Sequence, residues 1–311
     1  MEISIIVPVF NEAGNLETLS AKIKAVMDRM GKSYECIFID DGSIDNSFTV
    51  LRKLANENNF IKVIKLKKNF GQTAAMAAGF DSCGGDVVVT MDADLQNDPE
   101  DIPRLLQKMD EGYDIVSGWR DKRKDPVMTR KLPSFVANLI IAKLTGVKLH
   151  DFGCTLKAYK KDVLKNIRLY GEMHRFIPAI ASYTGISIAE LRVRHHNRRY
   201  GLSKYGVSRT LKVLLDLITV KFFISYSAKP MQIFGLVGFA GWFVGAVAFI
   251  LTVYMKLVKK IDITGNPLFH LTILMGIIGI QCILMGILGE MSIRIYHEIL
   301  NKQTYVIEEI L

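Results

Sequence analysis

Two long uncharged runs constrain this chain more than any other feature. Met231 to Met255 contains no Asp, Glu, Lys or Arg, and neither does Ile263 to Gly289. Each exceeds the roughly 20 residues that carry an α-helix across a bilayer. A buried core helix is the alternative for one such run, and two long uncharged runs in succession argue against it. They predict a membrane hairpin with spans over about 231–257 and 266–290. About 230 residues precede it, enough for one large domain or two small ones.

That leading part alternates strand-like and helix-like segments. Ile3 to Val9, Tyr34 to Ile39, Lys62 to Leu66, Val87 to Met91 and Asp114 to Ser117 read as strands. Glu17 to Met30, Asp45 to Asn58, Gly71 to Ser82 and Pro99 to Glu111 read as helices, the third rich in small residues. This spacing predicts βαβ units and a parallel sheet. No glycine-rich dinucleotide fingerprint opens a helix here, which argues against an NAD-binding domain. Ser134 to Gly146 and Ser208 to Ser225 are amphipathic and lie beside basic residues, a pattern expected of helices at a membrane surface.

Strand ends carry the chemistry. The run Val87 to Met91 stops at Asp92-Ala93-Asp94-Leu95-Gln96. Open α/β sheets bind ligands at that carboxyl edge. Two hard carboxylates there suit Mg²⁺ or Mn²⁺, which in turn bind phosphates. Positive charge, +9 overall, clusters at Lys65 to Lys68, Arg120 to Lys131 and Arg192 to Lys204. No nucleic-acid-binding signature accompanies it, and a membrane surface and a diphosphate substrate explain it better. The four cysteines are scattered without a CxxC pair, as expected of a reducing compartment. The N-terminus lacks a basic n-region and its apolar run is broken by Pro8 and Asn11, so no signal peptide is expected.

Four motifs stand at strand ends in order: Val7-Pro8-Val9-Phe10-Asn11-Glu12, Asp40-Asp41-Gly42-Ser43-x-Asp45, Asp92-Ala93-Asp94-Leu95-Gln96, and His150-Asp151-Phe152-Gly153-Cys154. Together with the two spans, the set resembles the family 2 glycosyltransferases of GT-A fold. The likeness is greatest to the polyprenyl-phosphate glycosyltransferases of the dolichol-phosphate mannose synthase and bactoprenol glucosyltransferase type. The resemblance implies an α/β fold, a Rossmann-like mixed sheet with helices on both faces, followed by interfacial helices and the membrane hairpin.

It also implies roles. Pro8, Phe10 and Glu12 match a nucleotide-contacting loop, with Phe10 where many relatives carry Tyr. Asp41 matches the residue that reads the base edge, and Asp92 belongs to the nucleotide and metal set. Asp92, Asp94 and Gln96 match the ligands of Mg²⁺ or Mn²⁺, which stabilises the leaving diphosphate. Arg120, Arg130 and Lys131 match basic residues over the diphosphate and the acceptor phosphate. Arg199, Ser203 and Lys204 match a late acceptor motif. Asp94, Arg130 and Asp151 stand as the catalytic set, with Asp151 orienting sugar or acceptor, because a lipid phosphate needs no strong base.

The expected enzyme moves one sugar from a nucleotide diphosphate sugar, UDP-glucose favoured, to undecaprenyl phosphate with inversion. Mannose, GlcNAc or aminoarabinose donors, or a polysaccharide synthase, are the alternatives; a membrane scaffold or flippase subunit is the least favoured. Residues 1–207 form the cytosolic catalytic domain, 208–229 the interfacial helix, and 230–311 the hairpin with a short cytosolic tail. The protein is expected in the inner membrane with both termini cytosolic. Gly235, Gly238, Gly241 and Gly245 allow close helix contact, within the hairpin or between subunits of a homo-oligomer.

Overall fold

The computed structural model describes residues 1–120, 142, 147–165, 167, 173–182, 185–197, 230–263, 266–299 and 307–310. The chain divides into two compact units: Met1–Val220 with Gln303–Leu311, and Lys221–Lys302.

The first unit is built on an eight-stranded sheet of order β7-β5-β6-β4-β1-β2-β3-β8. Its first half is a regular βα alternation: β1 (Ile3–Val9), α1 (Ala13–Met30), β2 (Tyr34–Asp40), α2 (Ser47–Glu57), β3 (Ile61–Leu66), α3 (Gln72–Ser82) and β4 (Val87–Thr90). Here β1 to β4 are all parallel. Strands buried on both faces need continuous apolar runs, and Ile5, Ile6, Val7, Ile37, Phe38 and Val89 supply them. Helix α3 lies close on the sheet because it is made of small residues. A Cβ on Gly79 would stand 2.6 Å from Ile6 Cγ2.

The second half departs from the expected parallel order. A 3-10 turn (Pro99–Asp101) and α4 (Ile102–Asp110) lead to β5 (Ile115–Trp119). Strand β6 (Lys157–Lys160) then inserts antiparallel between β4 and β5. Short α5 (Lys161–Lys165), a 3-10 turn (Met173–Phe176) and α6 (Ile177–Ser182) precede β7 (Ile188–Arg192), which is parallel to β5. The sheet is therefore mixed, as the family resemblance implies. Strand β8 (Ile307–Ile310) pairs antiparallel with β3 and covers that edge. The tail after the hairpin thus adds a strand to the first unit.

The second unit is two helices, α7 (Pro230–Lys259) and α8 (Pro267–Ile299). Met231–Lys259 and Pro267–Ser292 are long and apolar enough to cross a membrane. Phe243 is 71 % and Leu288 61 % exposed, so the apolar surface faces outward rather than into a protein core. The helices meet along glycines. A Cβ on Gly238 would stand 2.8 Å from the Gly279 carbonyl, and one on Gly279 would strike the Trp242 indole. The Trp242 Nε1–H donates to the Gly276 carbonyl at 3.2 Å. Of the two uses expected for the glycines, the helix contact inside the hairpin is the one this structure contains.

The interfacial segments lie outside the described residues, Ala142 excepted. So do Arg130, Lys131, Arg199, Ser203 and Lys204.

Candidate active site

Strands β1, β2 and β3 run outward in one direction, and the chain then crosses back to place β4 on the other side of β1. Such a switch point opens a crevice at the carboxyl ends of β1 and β4. Pro8 helps to open it. The Ile6 carbonyl accepts from Met91 N on the β4 side, and the Val9 carbonyl accepts from Asp41 N on the β2 side. By alternation Pro8 faces β4, whose ladder has already ended at Ile6–Thr90. A residue with no N–H belongs where no ladder bond is needed.

The loops at this edge hold one another. Ser43 Oγ accepts from Asn11 N, Ser47 Oγ from Glu12 N, and Asn11 Oδ1 from Ile44 N. Glu12 is buried and accepts from Asn15 Nδ2 at 2.6 Å. Asn11 and Leu95 both adopt left-handed backbone, with φ of 55° and 62°. Backbone strain in non-glycine residues concentrates at functional sites, and two of the three such residues among those described, Asn11 and Leu95, flank the crevice, the third being Lys260 after the first long apolar helix.

Asp41 is buried, and its two oxygens accept from the amides of Phe70 at 2.7 Å and Gly71 at 2.9 Å. It thereby ties the end of β2 to the start of α3. Asp40 is buried too, and burial raises its carboxyl above the ordinary value.

Asp92 follows β4. Its Oδ1 accepts from Gln72 Nε2 at 2.8 Å and its Oδ2 from the Thr155 hydroxyl at 2.7 Å. Burial and then the neighbouring Asp94 carboxylate push Asp92 upward. Asp94 is buried and accepts from Gln96 N at 3.1 Å. A pair of carboxylates that resists double ionisation is chemically suited to a divalent cation. Among the described residues no three His, Cys, Asp or Glu side chains group around one metal position. A cation here would rest on Asp92 and Asp94 and complete its shell with oxygens of a bound diphosphate, as Mg²⁺ commonly does. The Gln96 side chain donates to the His196 carbonyl at 3.4 Å.

Opposite stand Arg120, just past β5, and Asp151. The pair is bidentate: Arg120 Nε donates to Asp151 Oδ2 at 2.7 Å and Nη2 to Oδ1 at 2.9 Å. Gly153 N also donates to Asp151 Oδ1. Asp151 is thus committed to holding a guanidinium. Glu190 on β7 accepts from the amides of His150 and Asp151. The His150 ring stacks on Trp119 at 4.2 Å and lies 2.7 Å from Glu190, a structural task.

The strap 193–197 runs along the carboxylate loop. Asn97 and His195 form an antiparallel bridge, His196 N donates to the Gln96 carbonyl, and His196 Nε2 lies 2.9 Å from Asp98 Oδ2. Asp98 also accepts from Glu100 N, capping the turn before α4.

Pro8, Phe10, Glu12, Asp41, Asp92, Asp94, Gln96, Arg120 and Asp151 therefore all stand at one edge of the sheet. Sequence reasoning missed Gln72, Thr155 and Lys157. No motif marks Gln72 or Thr155. Lys157 had a signal, a lysine inside an otherwise apolar Leu156-Lys157-Ala158-Tyr159 run.

A switch-point crevice lined by paired carboxylates and a fixed guanidinium defines an α/β protein whose site is suited to a phosphate-bearing ligand. The chain belongs to the family described as Glycosyl transferase family 2, whose profile matches residues 4–168. It is a glycosyltransferase. It is 41 % identical to the dodecaprenyl-phosphate galacturonate synthase of Rhizobium johnstonii, over 100 % of this chain and 93 % of that protein. It is 35 % identical to the undecaprenyl-phosphate 4-deoxy-4-formamido-L-arabinose transferase of Pseudomonas paraeruginosa, over 99 % and 90 %. Among solved structures, glucosyl-3-phosphoglycerate synthase from Mycobacterium tuberculosis, in complex with Mn²⁺, UDP and glucosyl-3-phosphoglycerate, shares the fold. The TM-score is 0.56 at 16 % identity, covering 73 % of this chain and 82 % of that one.

Proposed function

We propose that this protein transfers one sugar from a nucleotide diphosphate sugar to a polyprenyl phosphate at the cytosolic face of the inner membrane. One observation carries the reading: the polyprenyl-phosphate relatives align with this chain from end to end, membrane helices included. Galacturonate or a formamidoarabinose-type sugar is favoured as donor. Glucose, the sugar expected from the sequence, appears in neither of these relatives' names.

The acceptor phosphate oxygen forms a bond to the anomeric carbon. The bond from that carbon to the β-phosphate oxygen breaks, and nucleoside diphosphate leaves with inversion. Asp92 and Asp94, with Gln96 as a further oxygen ligand, would hold a divalent cation, Mg²⁺ or Mn²⁺, which would supply charge neutralisation for that leaving group. Pro8, Phe10, Glu12 and Asp41 shape the nucleotide side. Arg120, Arg130 and Lys131 serve the phosphates, and Arg199, Ser203 and Lys204 the acceptor. Asp151 orients Arg120. Lys256, Lys259 and Lys260 would draw the helix connection inward by the positive-inside rule. A large folded domain using a cytosolic donor outweighs them, so the connection faces outward.

The test is transfer by full-length protein in detergent, with undecaprenyl phosphate and UDP-galacturonate, UDP-formamidoarabinose or UDP-glucose. Release of UDP matched one-to-one by lipid-linked sugar is expected. Release indifferent to the lipid phosphate would defeat the reading.

A further inference from the structure

Lys157 is buried at 2 % exposure, the one buried lysine or arginine among the described residues. It opens β6, an inner strand of the sheet, opposite Thr90 on β4 and Ser117 on β5. Its ammonium has three hydrogens, and the acceptor in reach is the Phe152 carbonyl at 3.1 Å. No carboxylate is bonded to it. A buried ammonium whose hydrogens meet no bonded carboxylate is costly to keep.

Its surroundings suggest a use. Phe152 follows Asp151 and precedes Gly153, whose missing Cβ leaves room for Arg120: a Cβ there would stand 3.2 Å from Arg120 Nη2. Lys157 therefore pins, from inside the sheet, the turn that wraps the Arg120–Asp151 pair. Asp151 is chelated by Arg120, and it acts electrostatically on the Lys157 ammonium as well. Were a substrate phosphate to draw Arg120 away, Asp151 would still have a positive neighbour.

We propose that Lys157 is a positioning residue for transfer, holding the Asp151–Gly153 turn through the Phe152 carbonyl and lending Asp151 a second cation while Arg120 engages phosphate. The proposal rests on the function stated above. The charged and titratable groups that act on Lys157 are Asp151, Arg120, Cys154 and Arg175. Burial pushes its ammonium down to about 8, with Arg120 and Arg175 adding to the push and Cys154 and Asp151 opposing it. The charge is thus present at neutral pH and lost in mild alkali.

The experiment measures transfer by full-length protein with undecaprenyl phosphate and UDP-sugar from pH 6.5 to 9.5. Lys157→Met is expected to lower kcat by on the order of 30-fold with the donor KM within about threefold, because the lost group acts through others. Lys157→Arg should return most of the rate. Wild-type rate should fall above about pH 8, and Lys157→Arg should abolish that fall, since guanidinium keeps its proton. If Lys157→Met does not fold, the Lys157→Arg profile decides. An alkaline fall that persists unchanged in Lys157→Arg would overturn the proposal. So would a Lys157→Met enzyme within about twofold of wild type, or one whose kcat and KM both collapse without rescue by arginine. Absence of any lipid-linked sugar from wild type would instead refute the function itself, and the proposal with it.

Discussion

The two sides of the crevice bury opposite kinds of charge. From β1 through the turn that begins α4, every buried charged side chain is a carboxylate: Glu12, Asp40, Asp41, Asp94, Asp98 and Asp101. On the β5–β6 side stand the buried cation Lys157 and the largely buried Arg120, which chelates Asp151. The acidic side is held by donors that the loops and helix starts supply, as the amides of Phe70, Gly71, Gln96 and Glu100 show. On the basic side the backbone supplies a carbonyl, that of Phe152, to Lys157, and the guanidinium of Arg120 is held by a side-chain carboxylate, Asp151. Acids here are thus held by backbone amides, whereas the guanidinium takes a dedicated side-chain partner.

Splitting the Arg120–Asp151 pair should break the contrast most severely. Arg120→Gln leaves Asp151 buried without its bidentate partner, at a cost of about 3–5 kcal/mol. Thermal unfolding in detergent should show a marked drop in Tm. The double variant Arg120→Met with Asp151→Leu should recover much of it. A single variant with unchanged Tm would mean that the pair contributes little.

On the acidic side the expected loss is in rate. Asp94→Asn should slow transfer by on the order of a hundredfold or more, about 3 kcal/mol, through weaker leaving-group stabilisation. EDTA should abolish wild-type transfer, and Mg²⁺ or Mn²⁺ should restore it. Full activity in EDTA would remove the metal from the reading.

The smallest effect is one of pH on stability. The Lys157 ammonium sits at about 8 in the folded chain against 10.5 ordinarily. Between these values the unfolded chain holds the extra proton, so stability rises with pH. Wild type should gain about 2 kcal/mol relative to Lys157→Met between pH 7 and 9.5. A pH-independent difference in urea unfolding would show that the ammonium is not destabilised by burial.

Much of the acidic side was legible in the sequence. The bounds of β1 are those expected, and β2 runs one residue further, to Asp40. Continuous β-branched runs announce strands buried on both faces, and the acidic motifs that end them fall at one edge once the strands are parallel. The basic side was less legible. Strand β6 reads Lys157-Ala158-Tyr159-Lys160, too short and too charged to announce itself, and it becomes a strand by inserting between β4 and β5. Strand β8, with two glutamates in four residues, exists because β3 has an open edge to pair with.

By itself the sequence determined what depends on periodicity and local charge: the membrane helices, the alternating βα half, the carboxylates at its strand ends, and the family. Tertiary structure alone decided the partnerships. That Asp151 serves Arg120, that Gln72 and Thr155 hold Asp92, and that a lysine lies inside the sheet all depend on contacts between residues 20 to 63 positions apart or on strand pairing. A hydrogen bond across such a distance leaves no mark on local pattern, because either partner alone reads as an ordinary polar residue.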